Sequence, residues 1–131
     1  MPSARTLQAF IDCVVGGDHA GAIERYYTAD ASMRENRKEP RRGRDALVAN
    51  ERAVLARARH VVTHCVPPVL QSGDHVVIRW IFEFDWLDGR QTRLEELAWQ
   101  RWEGEFIAEE EFFYDPGQVR PPAPPPPASN P

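Results

Sequence analysis

The sequence predicts an α+β fold in which three N-terminal helices pack on an antiparallel sheet. Three observations carry that expectation. Up to about residue 58 the apolar residues recur at helical spacing. After His60 the chain turns β-branched and aromatic, punctuated by Ser72-Gly73-Asp74, Asp88-Gly89 and Glu103-Gly104-Glu105. Helices gathered ahead of strands, rather than alternating with them, argue against a βαβ architecture.

Each element follows in order. Residues 4–15 place Leu7, Phe10, Ile11, Val14 and Val15 on one helical face. Gly16-Gly17 stops that helix, and Asp18 is placed to cap a second from His19 to about Tyr27. Ala31–Arg34 reads as a short strand, and the polar residues 35–43 as a loop. Arg44 to Ala58, rich in alanine and leucine, reads as the third helix. Strands follow at 61–71, 75–87, 90–102 and 106–115, the first bent or held at an edge by Pro67-Pro68. The folded domain is expected over residues 1–116. Eight of the last sixteen residues are proline, so 117–131 is expected to be a disordered or polyproline tail, dispensable for folding.

Composition narrows the function classes. A chain of 131 residues, 42% hydrophobic and 27% charged, is an ordinary globular domain. No apolar run reaches the roughly 18 residues of a membrane span. Met1–Arg5 carries no apolar leader segment, and Cys13 and Cys65 read as packed free thiols, so a cytoplasmic location is expected. Residues 31–60 carry nine basic and four acidic side chains; residues 83–115 carry three and eleven. That asymmetry reads as a solvated basic face beside an acidic sheet. With net charge −4 and no interleaved exposed aromatics, nucleic acid is not an expected partner. His60 and His64 fall on a strand, roughly 13 Å apart, too far for one metal ion. No phosphate loop or dinucleotide fingerprint is visible, and neither metal nor cofactor is expected.

The hairpin at Asp88-Gly89, read as a two-residue turn, pairs Leu87 with Arg90. One face then holds Ile78, Trp80, Phe82, Leu97 and Trp99. The other holds Arg79, Ile81, Leu94, Glu96 and Ala98. A three-residue turn at Glu103-Gly104-Glu105 brings Glu110, Phe112 and Tyr114 to this second face. Apolar walls with a few polar groups are what a ligand pocket needs, so the mixed face is expected to line one. Glu96 and Glu110 would be diagonal neighbours roughly 7 Å apart, with Arg79 in reach of both. Burial and mutual repulsion would raise one carboxyl into the range of a general acid or base. The competing reading is a structural Glu–Arg–Glu network. The all-apolar face would be covered in a homodimer through Ile78, Trp80, Phe82, Leu97 and Trp99.

The strings GDHAGAIERYYTADASM, GRDAL and WEGEFIAEEEFFYDP, in this order over residues 4–115, resemble the nuclear transport factor 2-like superfamily. Within it the chain most resembles the SnoaL-like and ketosteroid-isomerase-like proteins. The resemblance implies a cone-shaped fold, three helices closing a curved antiparallel sheet over a pocket. Carried over by position, the isomerase's general base falls on Glu35. Its oxyanion tyrosine falls on Phe10 and its second oxyanion acid on Ala98, so steroid isomerisation by the family mechanism is not expected. The resemblance implies binding of an apolar or polyketide-like small molecule. Cofactor-free isomerisation, cyclisation or hydrolysis would use Glu35, Glu96 and Glu110, with Phe10, Arg79, Ile81, Leu94, Ala98, Phe112 and Tyr114 against the ligand. The alternative is a non-catalytic binding or association module on the same fold.

Overall fold

The computed structural model describes residues 1–119. Helix α1 (Ala4–Val15) begins where the Ser3 hydroxyl accepts the Thr6 backbone N–H at 3.1 Å. It buries Leu7, Phe10, Ile11 and Val14, while Val15, expected on that face, turns to solvent. Helix α2 (His19–Tyr26) starts at Asp18, whose carboxylate accepts from Gly21 N at 3.0 Å. Helix α3 (Arg44–Ala56) buries Leu47 and Val48. No helix among the described residues is long and apolar enough to cross a membrane.

The six strands are β1 (Tyr27–Glu35), β2 (Arg41–Arg42), β3 (Ala58–Ser72), β4 (His75–Trp86), β5 (Gln91–Glu103) and β6 (Phe106–Phe113). They form one sheet in the order β2-β1-β6-β5-β4-β3. The expected antiparallel meander is its β3–β6 portion. The sheet as a whole is mixed, because β1 lies parallel to β6, with Met33 beside Glu110 and Glu35 beside Phe112. The stretch read as a four-residue strand thus runs nine residues and carries Tyr27 and Glu35 into the sheet. Strand β3 forms an edge, and its register breaks between Val66 and Leu70, where Pro67-Pro68 offers no backbone donor. The basic segment is neutralised in part: Arg34 and Arg37 meet Glu111 at 3.2 and 2.8 Å, and Arg52 meets Glu24 at 2.6 Å.

The β4–β5 hairpin departs from the sequence expectation by one residue. Its loop is Leu87-Asp88-Gly89, closed by Trp86 N donating to Arg90 O at 2.9 Å, with Gly89 at φ +88°. A three-residue loop that ends on a left-handed glycine is the next commonest hairpin connection after the two-residue turns. Ile78 therefore faces Ala98, Trp80 faces Glu96 and Phe82 faces Leu94. Because side chains alternate, this single step moves all of β4 to the other face relative to β5. Ile78, Trp80 and Phe82 point toward the helices, where Phe10 meets Trp80 at 6.5 Å and Trp102 at 5.8 Å between ring centroids. Arg79 and Ile81 lie on the outer face with Leu97 and Trp99.

At the next hairpin Glu103 pairs with Phe106 across Gly104-Glu105, and a bulge follows between Arg101 and Trp102. The two changes shift β6 by two positions in all, which preserves faces. Ala98 meets Phe112 and Gln100 meets Glu110, so Glu96 and Glu110 share the inner face as expected. Their offset along the strands is twice the expected one, since Gln100 rather than Ala98 sits opposite Glu110.

The described chain continues past residue 116 in contact with the sheet. Pro116–Gln118 forms a single 3-10 turn capped by the Asp115 carboxylate. The Gln118 amide accepts from Glu95 N at 2.9 Å and donates to Glu95 O at 3.0 Å, filling both backbone positions of β5 there. Residues 117–119 of the expected tail thus lie against β5; 120–131 lie outside the described residues. Ending the chain after Pro116 instead of Val119 should cost about 1–2 kcal/mol, the usual range for two hydrogen bonds. Thermal melts of the two truncations check this, with a drop of roughly 3–8 °C expected. Coincident melts would show that Gln118 contributes nothing.

Candidate functional site

A cavity of about 970 Å³ lies between the helices and the inner face of the sheet. Its aromatic wall comes from β4, where the alternation places Trp80, Phe82, Phe84 and Trp86 on the inner side. Phe10 and Val14 of α1 and Ile23 of α2 close the opposite side. Four glutamates line this largely apolar space: Glu35, Glu51, Glu96 and Glu110.

Three of the four have partners. Glu110, on β6, is buried and accepts the Tyr27 hydroxyl on Oε1 and Gln100 Nε2 on Oε2 at 2.7 Å. Gln100 in turn accepts the indole N–H of Trp102 at 3.0 Å. Burial pushes the Glu110 carboxyl up to about 7, against the opposing pull of its two hydrogen bonds. The same burial, with Glu110 beside it, raises the Tyr27 hydroxyl well above its ordinary value. Glu35, half-buried on β1, accepts the Tyr114 hydroxyl at 3.0 Å and lies 3.5 Å from Arg41. Tyr114 is pushed up to about 12 by burial and by Glu35. Glu51, on α3, lies 3.5 Å from His19 Nδ1, whose Nε2 is 2.9 Å from the Thr63 hydroxyl.

Glu96 differs. It is 8% exposed and lines the cavity, and no hydrogen bond among the described residues reaches its carboxyl, whose oxygens stay accessible from the cavity. Burial is the main reason its pKa rises to about 8, with Glu110, Glu35 and Glu51 adding repulsion. An unpartnered carboxyl in an apolar cavity, exchanging its proton near neutral pH, is equipped for acid–base work.

Of the residues singled out from sequence, Glu35, Glu96, Glu110, Phe10, Leu94, Phe112 and Tyr114 line this cavity. Ala98 is fully buried on the inner face but in the core beside it. Arg79 and Ile81 are corrections: the one-residue step at the hairpin puts them on the outer face, where Arg79 pairs with Glu95. The Glu–Arg–Glu network therefore does not form. Trp80 and Phe82, assigned to a dimer face, line the cavity instead, and Ile78 is buried in the core.

Sequence reasoning missed Tyr27, Gln100, His19 and Glu51. A signal existed for Glu51, a carboxylate set between Leu47 and Val54 on the apolar stripe of α3. None marked His19, which depends on the approach of Thr63 from β3. Among the described residues no group of three or more His, Cys, Asp or Glu side chains is arranged to hold a metal.

The profile of the SnoaL-like domain family matches residues 7–110. The chain belongs to the SnoaL-like domain family. A candidate SnoaL-like polyketide cyclase from Mesorhizobium loti superposes with a TM-score of 0.72 at 22% identity, over 87% of this chain and 100% of that one. A protein of ketosteroid isomerase-like fold from Catenulispora acidiphila, crystallised with trimethylamine, gives 0.74 at 17% identity, over 89% and 90%. TerC, co-crystallised with polyporic acid, gives 0.68 at 13% identity, over 85% and 89%. At these identities the likeness is one of fold. No curated protein matches the sequence.

Proposed function

We propose that this SnoaL-like protein binds an apolar small molecule in the cavity and performs cofactor-free proton transfer on it, of the kind that drives isomerisation, cyclisation or hydrolysis. The observation that carries this reading is Glu96. Protonated, it donates to a ligand carbonyl; ionised, it removes a proton from carbon beside that carbonyl. The apolar walls keep water from competing. Glu110 serves as a positioning residue, since both its oxygens are engaged by Tyr27 and Gln100. Glu35 and Tyr114, joined by a hydrogen bond, offer the ligand a second polar contact. The two structural relatives crystallised with small molecules support a binding role for this fold.

Hydrogen–deuterium exchange at the carbon next to the carbonyl of bicyclic ketones, followed by NMR, tests the reading. The wild type should accelerate exchange, and Glu96→Gln should lower that acceleration by about 10²–10⁴-fold, the usual worth of a general base. Affinity should change less than about tenfold, because shape is conserved. Binding without exchange in the wild type would favour the non-catalytic module.

The same reading includes a homodimer, through a corrected set of residues. On the outer face Leu97, Trp99 and Phe113 are exposed, Trp99 by 50%, beside the half-buried Val77 and Ile81. Arg79, Arg93, Glu83 and Glu95 surround them with both charge signs, which suits a self-complementary two-fold contact. Light scattering should give twice the 15.0 kDa chain mass. Trp99→Arg should return the monomer without loss of fold; a wild-type monomer at micromolar concentration would remove the dimer.

A further inference from the structure

The inner row of β4 is a ladder of four aromatic rings. Trp80 and Phe82 lie 5.8 Å apart between centroids, Phe82 and Phe84 6.3 Å, and Phe84 and Trp86 4.6 Å. Successive ring planes differ by only 31°, 34° and 3°. Such a wall matches an extended flat π-system better than a bulky aliphatic one, since offset and edge-on aromatic contacts are favourable along its whole length. From Trp80 to Trp86 the strand advances roughly 20 Å.

The two ends of the ladder differ in charge. At the inner end Trp80 faces Glu96, with Glu110 and Glu51 in the same electrostatic neighbourhood. At the outer end the Arg57 guanidinium lies over the Trp86 ring, 5.9 Å from its centroid. Arg57 closes α3, and its carbonyl accepts Leu87 N at 2.9 Å, which ties the helix end to the β4–β5 loop and sets the guanidinium at the cavity mouth. Three arginines line this cavity. Arg41 lies 3.5 Å from Glu35 and Arg90 2.8 Å from Asp88, whereas Arg57 has no carboxylate within ion-pair distance among the described residues. Set over the indole without a carboxylate partner, its planar fork keeps its donors free for a bidentate anion.

We propose that the cavity takes an elongated, planar, conjugated molecule bearing a carboxylate or phenolate at one end, seated with that end on Arg57 at the mouth and its body along the Trp80–Trp86 ladder. The orientation follows from repulsion: an anion at the inner end would meet Glu96, Glu110, Glu35 and Glu51, while at the Trp86 end it meets an unpaired cation. The proposal rests on the acid–base reading only for what happens at the inner end, where the ligand's carbonyl reaches Glu96.

The test uses an anthraquinone monocarboxylate, its neutral carboxamide and the cationic aminomethyl analogue, titrated against the full chain near neutral pH by calorimetry. The carboxylate should bind at least about tenfold more tightly than the carboxamide, a difference of about 1.4 kcal/mol. Arg57→Gln should erase that preference and leave carboxamide affinity within about twofold, which also shows that the variant is folded. Arg57→Lys should restore part of the preference through charge alone. Equal binding of acid and amide, tighter binding of the amine, an equal loss of both by Arg57→Gln, or no binding of any probe would each overturn the proposal. Proton exchange of bicyclic ketones in the wild type and in Glu96→Gln tests the acid–base reading on its own. Failure here and failure of the acid–base reading are therefore separately visible.

Discussion

The melting temperature should fall as pH rises from about 5.5 to 9, by roughly 10–20 °C. The cause is Glu96, with Glu110 acting in the same direction. In the unfolded chain both titrate as ordinary carboxylates near 4.5; in the native state they titrate at about 8 and about 7. Between those values the native state holds protons that the unfolded state has lost, so stability declines with rising pH. The contribution is complete below about pH 4.5 and gone once pH passes the native pKa values. One pKa unit corresponds to roughly 1.4 kcal/mol, so Glu96 alone accounts for on the order of 3–5 kcal/mol. Groups of the opposite sign, such as Asp18 held low by Arg25 and Glu95 held low by Arg79, lose their contribution only as pH falls through their lowered values. Maximum stability is therefore expected near pH 5.

Glu96→Gln isolates the effect. It removes the cost of ionising a buried carboxyl while keeping its shape, so it should flatten most of the slope and raise the melting temperature above wild type at pH 8–9. Glu110→Gln is a poorer probe. Its two oxygens accept from Tyr27 and from Gln100, and an amide nitrogen in place of one of them would face a donor. A flat wild-type profile, or a slope that survives Glu96→Gln, would show that Glu96 is not buried as an acid.

What was legible in the sequence depends on how much each signal is averaged. Helix α1 was readable almost to the residue because four buried positions, Leu7, Phe10, Ile11 and Val14, share one helical face ahead of a glycine pair. The inner faces of β5 and β6 were also readable, since the turn and bulge errors between them cancelled in parity. The face of β4 was not, because one residue in one loop decides it. Leu87 reads as strand by composition but belongs to the turn. Volume held a contrary signal: Ile78, Trp80, Phe82, Phe84 and Trp86 form the largest apolar set in the sheet, and such a set is better buried under helices than left for a partner. Arg79 followed β4 to the wrong face for the same reason. Tyr27 was invisible as a site residue because its role needs the parallel pairing of β1 with β6, a contact between segments some 80 residues apart.

Trp80→Ala should be among the most destabilising single substitutions in the domain, at roughly 3–5 kcal/mol. Trp80 is 2% exposed and is among the largest fully enclosed side chains. It packs against Phe10 of α1 and Phe82 of its own strand, so its loss removes apolar burial and loosens the contact of α1 with the sheet. The cavity next to it limits collapse, because Trp80 already borders open space and its truncation enlarges that space. Leu97→Ala, on the outer face and 45% exposed, should cost the isolated protomer less than about 1 kcal/mol. The contrast reports the hairpin register directly. With a two-residue turn the two side chains would share a face and Trp80 would lie outside, so its truncation would resemble that of Leu97. With the three-residue turn the two sit on opposite sides, and urea melts of the two variants should differ by at least about 2 kcal/mol. Equal effects would place Trp80 outside the core and with it remove the inner end of the aromatic wall.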